Sequence, residues 1–295
     1  TIMTTNALGI YEKALPQTAN WSQRLLLARQ LGFNFVEMSI DESDQRLARL
    51  NWSDQERSAL RQTIIQSKTD VPTLMLSGNR RFPLGSAQAS TREHGFWMIK
   101  AAVDLAVDLG IRLIQLAGYD AYYETKTLTS RERFIRGLQA AVDYAASRKI
   151  ILAIETMDDP FINSIAKIKH LKSMIKSPYL EAYPDLGNIN AWPENDLPED
   201  LETGIEIISA VHLKDTLKVT NDFPGQFKKV PFGQGDVDFY GALSTLQRLA
   251  YSGSYTIEMW SESSSDPVQE VQGAKTFFDQ LFQQVGIQQE ELRNA

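Results

Sequence analysis

The chain contains no cysteine, carries no long apolar run and has only three histidines among its 295 residues. Without cysteine it can form no disulfide, no thiolate metal site and no cysteine nucleophile, and this fits a reducing cytoplasm, where we expect the protein to act. No apolar stretch approaches the roughly 18 residues of a membrane span. Thr1 to Asn6 lack the basic and apolar segments of a signal peptide, so we expect none.

An excess of basic charge is also missing. The formal net charge is −7 and the pI is about 5.2. Nucleic acids and anionic membranes attract a basic face, so we predict neither as a partner. The 43% of hydrophobic and 23% of charged residues are typical of a globular chain with a full core. The length suits one large α/β barrel or two ordinary domains.

The hydrophobic pattern alternates eight times between short apolar runs and longer stretches with helical spacing. It predicts one (β/α)8 TIM barrel over residues 1–295, with a short helical tail from Gly286 to Ala295. A doubly wound sheet normally has a Gly-rich turn after its first strand, and Glu12–Pro16 follows here instead. The predicted strands are Ala7–Tyr11, Phe33–Ile40, Val71–Ser77, Ile111–Ala117, Ile150–Glu155, Tyr179–Pro184, Ile207–Leu213 and Tyr255–Met259.

The predicted helices follow these strands in turn, and one longer connection interrupts the pattern. Ser53 followed three residues later by Glu56 has the spacing of a capping box, and Asp238 is the predicted cap of the seventh helix. The segment Lys214–Gly235 is predicted as a long basic loop. The helices are Trp21–Gly32, one opening at Ser53, Thr91–Leu109, Thr129–Arg148, Asn163–Met174, Leu197–Ile205, Phe239–Ala250 and Pro267–Val285.

The fifth predicted strand ends in a carboxylate. The run from Ile150 to Ile154 is apolar and β-branched, which indicates a strand buried on both faces, and Glu155 follows it directly. Desolvating a lone charge costs several kcal/mol unless a cation or hydrogen bonds offset it, so Glu155 is a candidate site residue. The same pattern places Asp185, His212 and Glu258 at the ends of strands six, seven and eight.

Active sites of such barrels lie at the carboxyl ends of the strands, so these four side chains are expected to converge. Three carboxylates and one imidazole in a small volume would repel one another without a cation. With a divalent metal they form a ligand set of hard oxygens and one nitrogen, which suits Mn²⁺, Mg²⁺, Co²⁺ or Zn²⁺. We therefore predict Glu155, Asp185, His212 and Glu258 as metal ligands.

Each of these residues also has a simpler interpretation. A glutamate at a strand end can cap a helix or form an ion pair, and Asp185 in Pro-Asp-Leu-Gly is typical of a turn. Four such residues on consecutive strands favour a functional site. The other two histidines, His94 and His170, lie in or beside predicted helices, and we interpret them as surface or interhelix residues.

The sequence offers weaker signals for substrate binding. Lys214, Lys229 and Arg80 could hold an anion such as a sugar phosphate, because lysine and especially arginine bind phosphate oxygens. A solvated basic loop explains the lysines equally well. Trp260, near the end of strand eight, could form one wall of a sugar site or pack in the core. The segment Pro231–Asp238 is interpreted as a tight loop before a helix.

These residues resemble a known family. The strings Ala153–Glu155, Tyr183–Asp185, Val211–Asp215, Val230–Gly235 and Ile257–Glu262 resemble the xylose-isomerase-like barrel superfamily. More closely, they resemble the bacterial L-ribulose-5-phosphate 3-epimerases, also called L-xylulose-5-phosphate 3-epimerases, of L-ascorbate and pentose utilisation. The longer strings Gly9–Pro16, Phe35–Ser39, Arg80–Ser86 and Ile114–Asp120 strengthen the narrower match. The similarity runs from about Gly9 to the final helix.

The resemblance implies roles for individual residues. It implies that Glu155, Asp185, His212 and Glu258 hold a divalent metal and that Glu155 and Glu258 also act as an acid/base pair. Related free-sugar epimerases usually place a histidine three residues after the aspartate, and this chain has Asn188 there. They also tend to have an arginine beyond the strand-seven histidine, where Lys214 stands. We therefore treat Asn188 and Lys214 as candidate substrate contacts, at two positions where this chain differs from the free-sugar epimerases.

The implied reaction is the interconversion of L-xylulose 5-phosphate and L-ribulose 5-phosphate through a cis-enediolate, with one glutamate removing the C3 proton and the other returning it. The substrate would be a pentulose 5-phosphate, and a homodimer is the favoured assembly. Aldose–ketose isomerisation by the same barrel is the alternative reaction. A barrel that binds a sugar phosphate without catalysing a reaction is the alternative function that is not enzymatic. A metal-dependent endonuclease for abasic DNA would need more histidines and a basic face.

Overall fold

A computed structural model of the chain describes residues 3–294. Its strands are short, and most are followed by a helix. They are β1 (Thr4–Asn6), β2 (Leu8–Tyr11), β3 (Phe35–Ser39), β4 (Thr73–Met75), β5 (Leu113–Ala117), β6 (Ile151–Glu155), β7 (Leu180–Tyr183), β8 (Ala210–Leu213), β9 (Asp215–Leu217), β10 (Gln226–Val230), β11 (Ser254–Ile257) and β12 (Ile287–Gln289).

The helices lie between these strands along the chain. They are α1 (Trp21–Gln30), α2 (Asp44–Leu47), α3 (Asp54–Ser67), α4 (Ala89–Leu109), α5 (Leu128–Ser147), α6 (Ile165–Met174), α7 (Leu186–Asn190), α8 (Leu197–Gly204), α9 (Phe239–Arg248) and α10 (Pro267–Val285). The predicted caps are confirmed: Ser53 and Glu56 form a capping box at α3, and Asp238 accepts from Gly241 N at the start of α9. None of the helices within residues 3–294 combines the length and apolar character that a bilayer crossing requires.

The parallel strands form a barrel, as predicted. One sheet runs in the order β7-β6-β5-β4-β3-β2-β11-β8. Its two edges meet through parallel bridges that pair Ala182 with Ile208 and Asp185 with His212. The His212 amide donates to the Pro184 carbonyl at 2.9 Å across this seam. Closure therefore brings two of the predicted metal ligands into direct register.

The core lies mainly between the barrel and its ring of helices. Helix α5 illustrates how the sequence produces it, because its buried positions recur at three- and four-residue spacing along one face. Inside the barrel, one close contact requires glycine. A Cβ atom added to Gly9 on β2 would lie 2.1 Å from the Phe35 ring. Glycine at this position therefore leaves room for that ring.

Two predictions about irregular segments are wrong. Lys214–Gly235 is not one long loop, because β9 and β10 within it pair as an antiparallel hairpin. The tail is not a helical turn, because β12 pairs in parallel with β1 and the Glu290 amide donates to the Asn6 carbonyl. Such three-residue strands are held by backbone hydrogen bonds between distant segments. Ala295 of that predicted tail, like Thr1 and Ile2 of the predicted amino terminus, lies outside the described residues.

Candidate metal centre and active site

Four neighbouring elements present the four predicted ligands at one end of the barrel. Glu155 is the last residue of β6, and His212 is the next-to-last residue of β8. Glu258 follows β11 directly. Asp185 lies just beyond β7, where its Oδ1 accepts from the Asn188 amide at 2.9 Å and caps α7. The turn interpretation of Asp185 was thus partly correct, since the residue is both a cap and a member of the cluster.

The structure brings these four side chains together. One ligand atom from each lies within 4.8 Å of every other. His212 Nδ1 is 2.8 Å from Glu155 Oε1 and 2.9 Å from Glu258 Oε2, so two glutamates from strands on either side approach the same nitrogen. Their strands are separated by β7 and β8, which carry Asp185 and His212. Each of the four side chains is no more than 4% exposed.

Burial and mutual repulsion change the protonation of the cluster. Burial raises the pKa of Glu155 and raises that of Asp185 to about 8, although Lys214 opposes the rise at Asp185. At Glu258 the positive charges of Lys214 and His212 outweigh burial and lower the pKa. Burial alone would lower the pKa of His212, but the surrounding anionic groups raise it well above its ordinary value. The cluster therefore favours additional positive charge.

Two oxygens of the cluster are suited to accept that charge. Asp185 Oδ2 and Glu258 Oε2 are buried and accept no well-formed hydrogen bond from the described residues. Lys214 Nζ lies 3.1 Å from Asp185 Oδ2, but only as an ion pair without hydrogen-bond geometry. Carboxylate oxygens with one imidazole nitrogen are the donor set of Mn²⁺, Mg²⁺, Co²⁺ and Zn²⁺ sites. The cluster could therefore hold one divalent ion.

Residues from other strands, which were not among the predicted site residues, also contact the cluster. Glu37 lies in the middle of β3, and its Oε1 is 2.6 Å from His212 Nε2. Gln115 on β5 donates a hydrogen bond to Glu155 Oε2. A signal for Glu37 existed, because a carboxylate inside Phe35–Ser39 is as costly to bury as one at a strand end. The strand-end pattern does not include Glu37, because it lies in the middle of its strand.

A polar cavity of about 160 Å³ opens beside Glu258. Arg80, one of the predicted substrate contacts, lines it together with Lys228 and Trp260. The Arg80 guanidinium carbon lies 5.3 Å from the centres of two tyrosine rings, Tyr119 and Tyr122. Its Nε is buried and makes no hydrogen bond to the described residues. Lys228 Nζ lies 4.8 Å from the centre of the Trp260 ring.

A larger cavity of about 500 Å³, lined by apolar and polar residues, also borders Glu258 and Trp260. Lys214 and Lys229 line it. The two lysines differ in their surroundings, because Lys214 is buried whereas the Lys229 side chain is 51% exposed and lies 3.8 Å from Glu262. Lys214 thus forms an ion pair with Asp185, whereas Lys229 lies at the solvent-exposed edge of the larger cavity.

Asn188 and the two remaining histidines take different positions. Asn188 is buried and donates from its side chain to the Thr156 carbonyl at 2.9 Å, while its Oδ1 accepts no hydrogen bond from the described residues. It lies beside the cluster, because its backbone amide donates to Asp185 Oδ1, and its role as a substrate contact stays a prediction. His94 and His170 are exposed, which confirms their interpretation as surface residues, and His94 packs between Phe82 and Trp97.

The loop before α9 is organised by one aspartate. Asp215 is buried and accepts backbone hydrogen bonds from Gly233, Gly235 and Val237. A Cβ on Gly235 would lie 2.1 Å from Asp215 Oδ1, so the close approach requires glycine. The interpretation of Pro231–Asp238 as a tight loop before a helix is therefore confirmed.

Comparison with known proteins identifies the family to which this fold belongs. The profile of the family described as "Xylose isomerase-like TIM barrel" matches residues 25–281. A solved structure of an L-ribulose 3-epimerase superposes with a TM-score of 0.78 at 15% identity, covering 95% of this chain and 96% of that one. At such low identity the superposition shows the fold alone. The chain belongs to the xylose isomerase-like TIM barrel family.

Nearer relatives narrow the assignment. The L-ribulose-5-phosphate 3-epimerase UlaE of Escherichia coli O157:H7 (strain EC4115 / EHEC) is 46% identical over 280 residues, 95% of this chain and 96% of the relative. SgbU of Escherichia coli (strain K12), provisionally named an L-ribulose-5-phosphate 3-epimerase, is 48% identical over 285 residues, 97% of this chain and 99% of the relative. The chain therefore belongs to the L-ribulose-5-phosphate 3-epimerase family of isomerases, and the resemblance noted in the sequence is confirmed.

Proposed function

We propose that this chain inverts C3 of a pentulose 5-phosphate, interconverting L-ribulose 5-phosphate and L-xylulose 5-phosphate in pentose or L-ascorbate utilisation. The observation that carries the proposal is the approach of two glutamates, Glu155 and Glu258, to the same nitrogen of His212 at 2.8 and 2.9 Å. Inversion requires one group that removes a proton from one face and a second that returns a proton to the other. The names of the relatives support the choice of substrate.

The two glutamates have distinct surroundings that suit a pair with two roles. Glu258 lines both cavities next to the cluster, and its Oε2 accepts no well-formed hydrogen bond from the described residues. Glu155 is held deeper, by the amide of Gln115 on one oxygen and by His212 on the other. C3 of a substrate between them would exchange its proton with Glu258 on the open side and with Glu155 on the buried side.

Glu155, Asp185, His212 and Glu258 would hold a divalent ion in this proposal. Oxygen-rich coordination with one nitrogen favours Mn²⁺, Co²⁺, Zn²⁺ or Mg²⁺. When bound, such an ion supplies Lewis-acid stabilisation of the negative charge that develops on the sugar oxygens next to C3 as its proton leaves. Asp185 Oδ2 supports this assignment, since it is buried without a well-formed hydrogen bond from the described residues.

The mouth of the barrel has cations that suit the phosphate of the substrate. Arg80 presents a guanidinium packed against two adjacent tyrosine rings, with a buried Nε that has no hydrogen-bond partner among the described residues. Lys228 lines the same cavity, and Trp260 borders both this cavity and the larger one. Arginine binds phosphate through paired, charge-assisted hydrogen bonds. We therefore place the phosphate against Arg80 and the sugar carbons toward Glu258.

Proton NMR in D₂O tests this function directly. Wild-type protein, metal-stripped protein and Mn²⁺-restored protein are each given L-xylulose 5-phosphate. We expect L-ribulose 5-phosphate to appear with deuterium at C3, the reaction to stop after chelation, and Mn²⁺ to restore it. Glu155→Gln and Glu258→Gln should each lack both epimerisation and C3 exchange, because amides cannot take up the proton.

A matched control is Glu262→Gln, which changes a half-exposed glutamate four residues beyond Glu258. This variant should turn over like wild type. A new aldehyde signal in the product would instead indicate aldose–ketose isomerisation. Tight binding of the pentulose phosphate by wild type without any turnover would contradict the proposal and indicate a sugar-phosphate-binding barrel.

A further inference from the structure

Glu37 is a carboxylate in the interior of the barrel that the proposed proton transfers do not use. It lies in the middle of β3 and is 0% exposed. No lysine or arginine among the described residues forms an ion pair with it. Burying such a group costs several kcal/mol unless its oxygens are hydrogen-bonded. We therefore expect Glu37 to have a hydrogen-bonding partner in the barrel interior.

That partner is the imidazole of His212. Glu37 Oε1 lies 2.6 Å from His212 Nε2, and both side chains are fully buried. An ionised carboxylate can only accept hydrogen bonds, so Nε2 must carry the proton in this contact. The other ring nitrogen, Nδ1, faces Glu155 and Glu258.

The second oxygen of Glu37 is fixed independently. Its Oε2 accepts from the Tyr183 hydroxyl at 2.5 Å and from the Thr73 hydroxyl at 2.8 Å. The Tyr183 ring also lies against the imidazole of His212, with the ring centres 4.5 Å apart. Two hydroxyl groups from β4 and β7 therefore hold the carboxylate, and the carboxylate and the tyrosine ring together hold the imidazole.

We infer that Glu37 is a positioning residue, which fixes the ring orientation and tautomer of His212 so that Nδ1 presents its lone pair to a divalent ion. The inference rests on the proposed metal site. A hydrogen bond from the remote nitrogen of a metal-binding histidine to a carboxylate typically changes metal affinity by about 10- to 100-fold. Glu37 would thus act on the ion through His212 and make no contact with substrate.

Metal affinity, measured without turnover, tests the inference. Chelated protein is titrated with Zn²⁺ against a competing fluorescent chelator. Glu37→Gln should bind Zn²⁺ about 10- to 100-fold more weakly than wild type. The matched control is Ser39→Ala on the same face of β3, since Ser39 is also fully buried but bonds to the Tyr11 hydroxyl. This control should keep wild-type affinity.

Nitrogen-15 NMR of Zn²⁺-loaded wild-type protein gives a second readout, and its histidine spectrum is simple because the chain has three histidines. The buried histidine should show a metal-bound Nδ1 and a slowly exchanging proton on Nε2. This measurement needs no variant, so it decides the question even if Glu37→Gln does not fold. Tyr183→Phe, which removes one hydroxyl donor to Glu37, should weaken Zn²⁺ binding by a smaller factor.

The outcomes separate this inference from the proposed function. Wild type that binds no divalent ion would overturn the proposed function itself. Wild type that binds Zn²⁺ tightly while Glu37→Gln binds it equally well would overturn only the positioning role. Coordination through Nε2 with the proton on Nδ1 would also overturn that role, because Glu37 would then face the metal side of the ring.

Discussion

Replacing Lys214 by methionine tests how the cluster offsets the negative charge of its buried carboxylates. Lys214 is 6% exposed, and its Nζ lies 3.1 Å from Asp185 Oδ2. At that separation, two unit charges attract by ~5 kcal/mol with an effective dielectric constant of ~20. Removing one partner of a buried pair typically costs about 3–5 kcal/mol, because the other charge is left uncompensated. We expect Lys214→Met to lose about this much unfolding free energy in metal-free protein at a pH above 8, where Asp185 is ionised.

The assay is urea unfolding followed by circular dichroism, with and without Mn²⁺. Burial already raises the pKa of Asp185 to about 8 with Lys214 present, and removing the lysine would raise it further. A bound divalent ion would return positive charge to the same carboxylates, so Mn²⁺ should recover part of the loss. Stabilisation by a ligand that binds only the folded state follows from mass action.

The matched control is Lys229→Met. It removes the same charge from a side chain that is 51% exposed and 3.8 Å from Glu262, so the loss should be at most about 1 kcal/mol. A Lys214→Met loss as small as that of the control would refute the account of the buried pair. A loss that Mn²⁺ leaves unchanged would refute the claim that the ion and Lys214 serve the same carboxylates.

Three further predictions concern the mouth of the barrel, the buried Glu12 that follows β2, and the loop before α9. Arg80→Met should raise KM for the pentulose phosphate at least tenfold with little change in kcat, since a charged hydrogen bond contributes about 1.5–3 kcal/mol; equal kinetics would exclude Arg80 as the phosphate contact. Burial would raise the pKa of Glu12, but its contact with Arg49 outweighs this and lowers the pKa below 4.5. The stabilisation by Glu12 is therefore full above pH 4.5 and is lost as pH falls through the lowered pKa. Glu12→Gln should lower the thermal midpoint at pH 7, and the gap to wild type should narrow as the pH falls below 4.5; a gap independent of pH would contradict this. Gly235→Ala should destabilise by about 1–3 kcal/mol in thermal unfolding, because its Cβ would overlap Asp215; unchanged stability would contradict the crowding seen there.

Much of the barrel was predictable, because each strand has an apolar run long enough to mark it. The carboxylates at strand ends were equally visible, since the Ile150–Ile154 run makes Glu155 stand out against its surroundings. Barrel closure then explains the convergence of the four side chains. Asp185 and His212 pair directly across the seam, a contact that strand order implies.

Other parts depend on contacts that no local pattern reveals. The pairing of β1 with β12 joins segments at opposite ends of the chain through backbone hydrogen bonds, for which side chains give no signal. Lys214 appeared as part of a basic loop, and only the fold shows that its ammonium is buried beside Asp185. Glu37 was visible as a charge in an apolar strand. Its role follows only from the fold, because Glu37 on β3 contacts His212 on β8 inside the barrel.

The most direct test of the central claim is an anomalous difference map from crystals grown with Mn²⁺. The account predicts a strong peak within coordination distance of Glu155, Asp185, His212 Nδ1 and Glu258. A map without a peak among these atoms, from crystals whose protein epimerises the substrate, would contradict it.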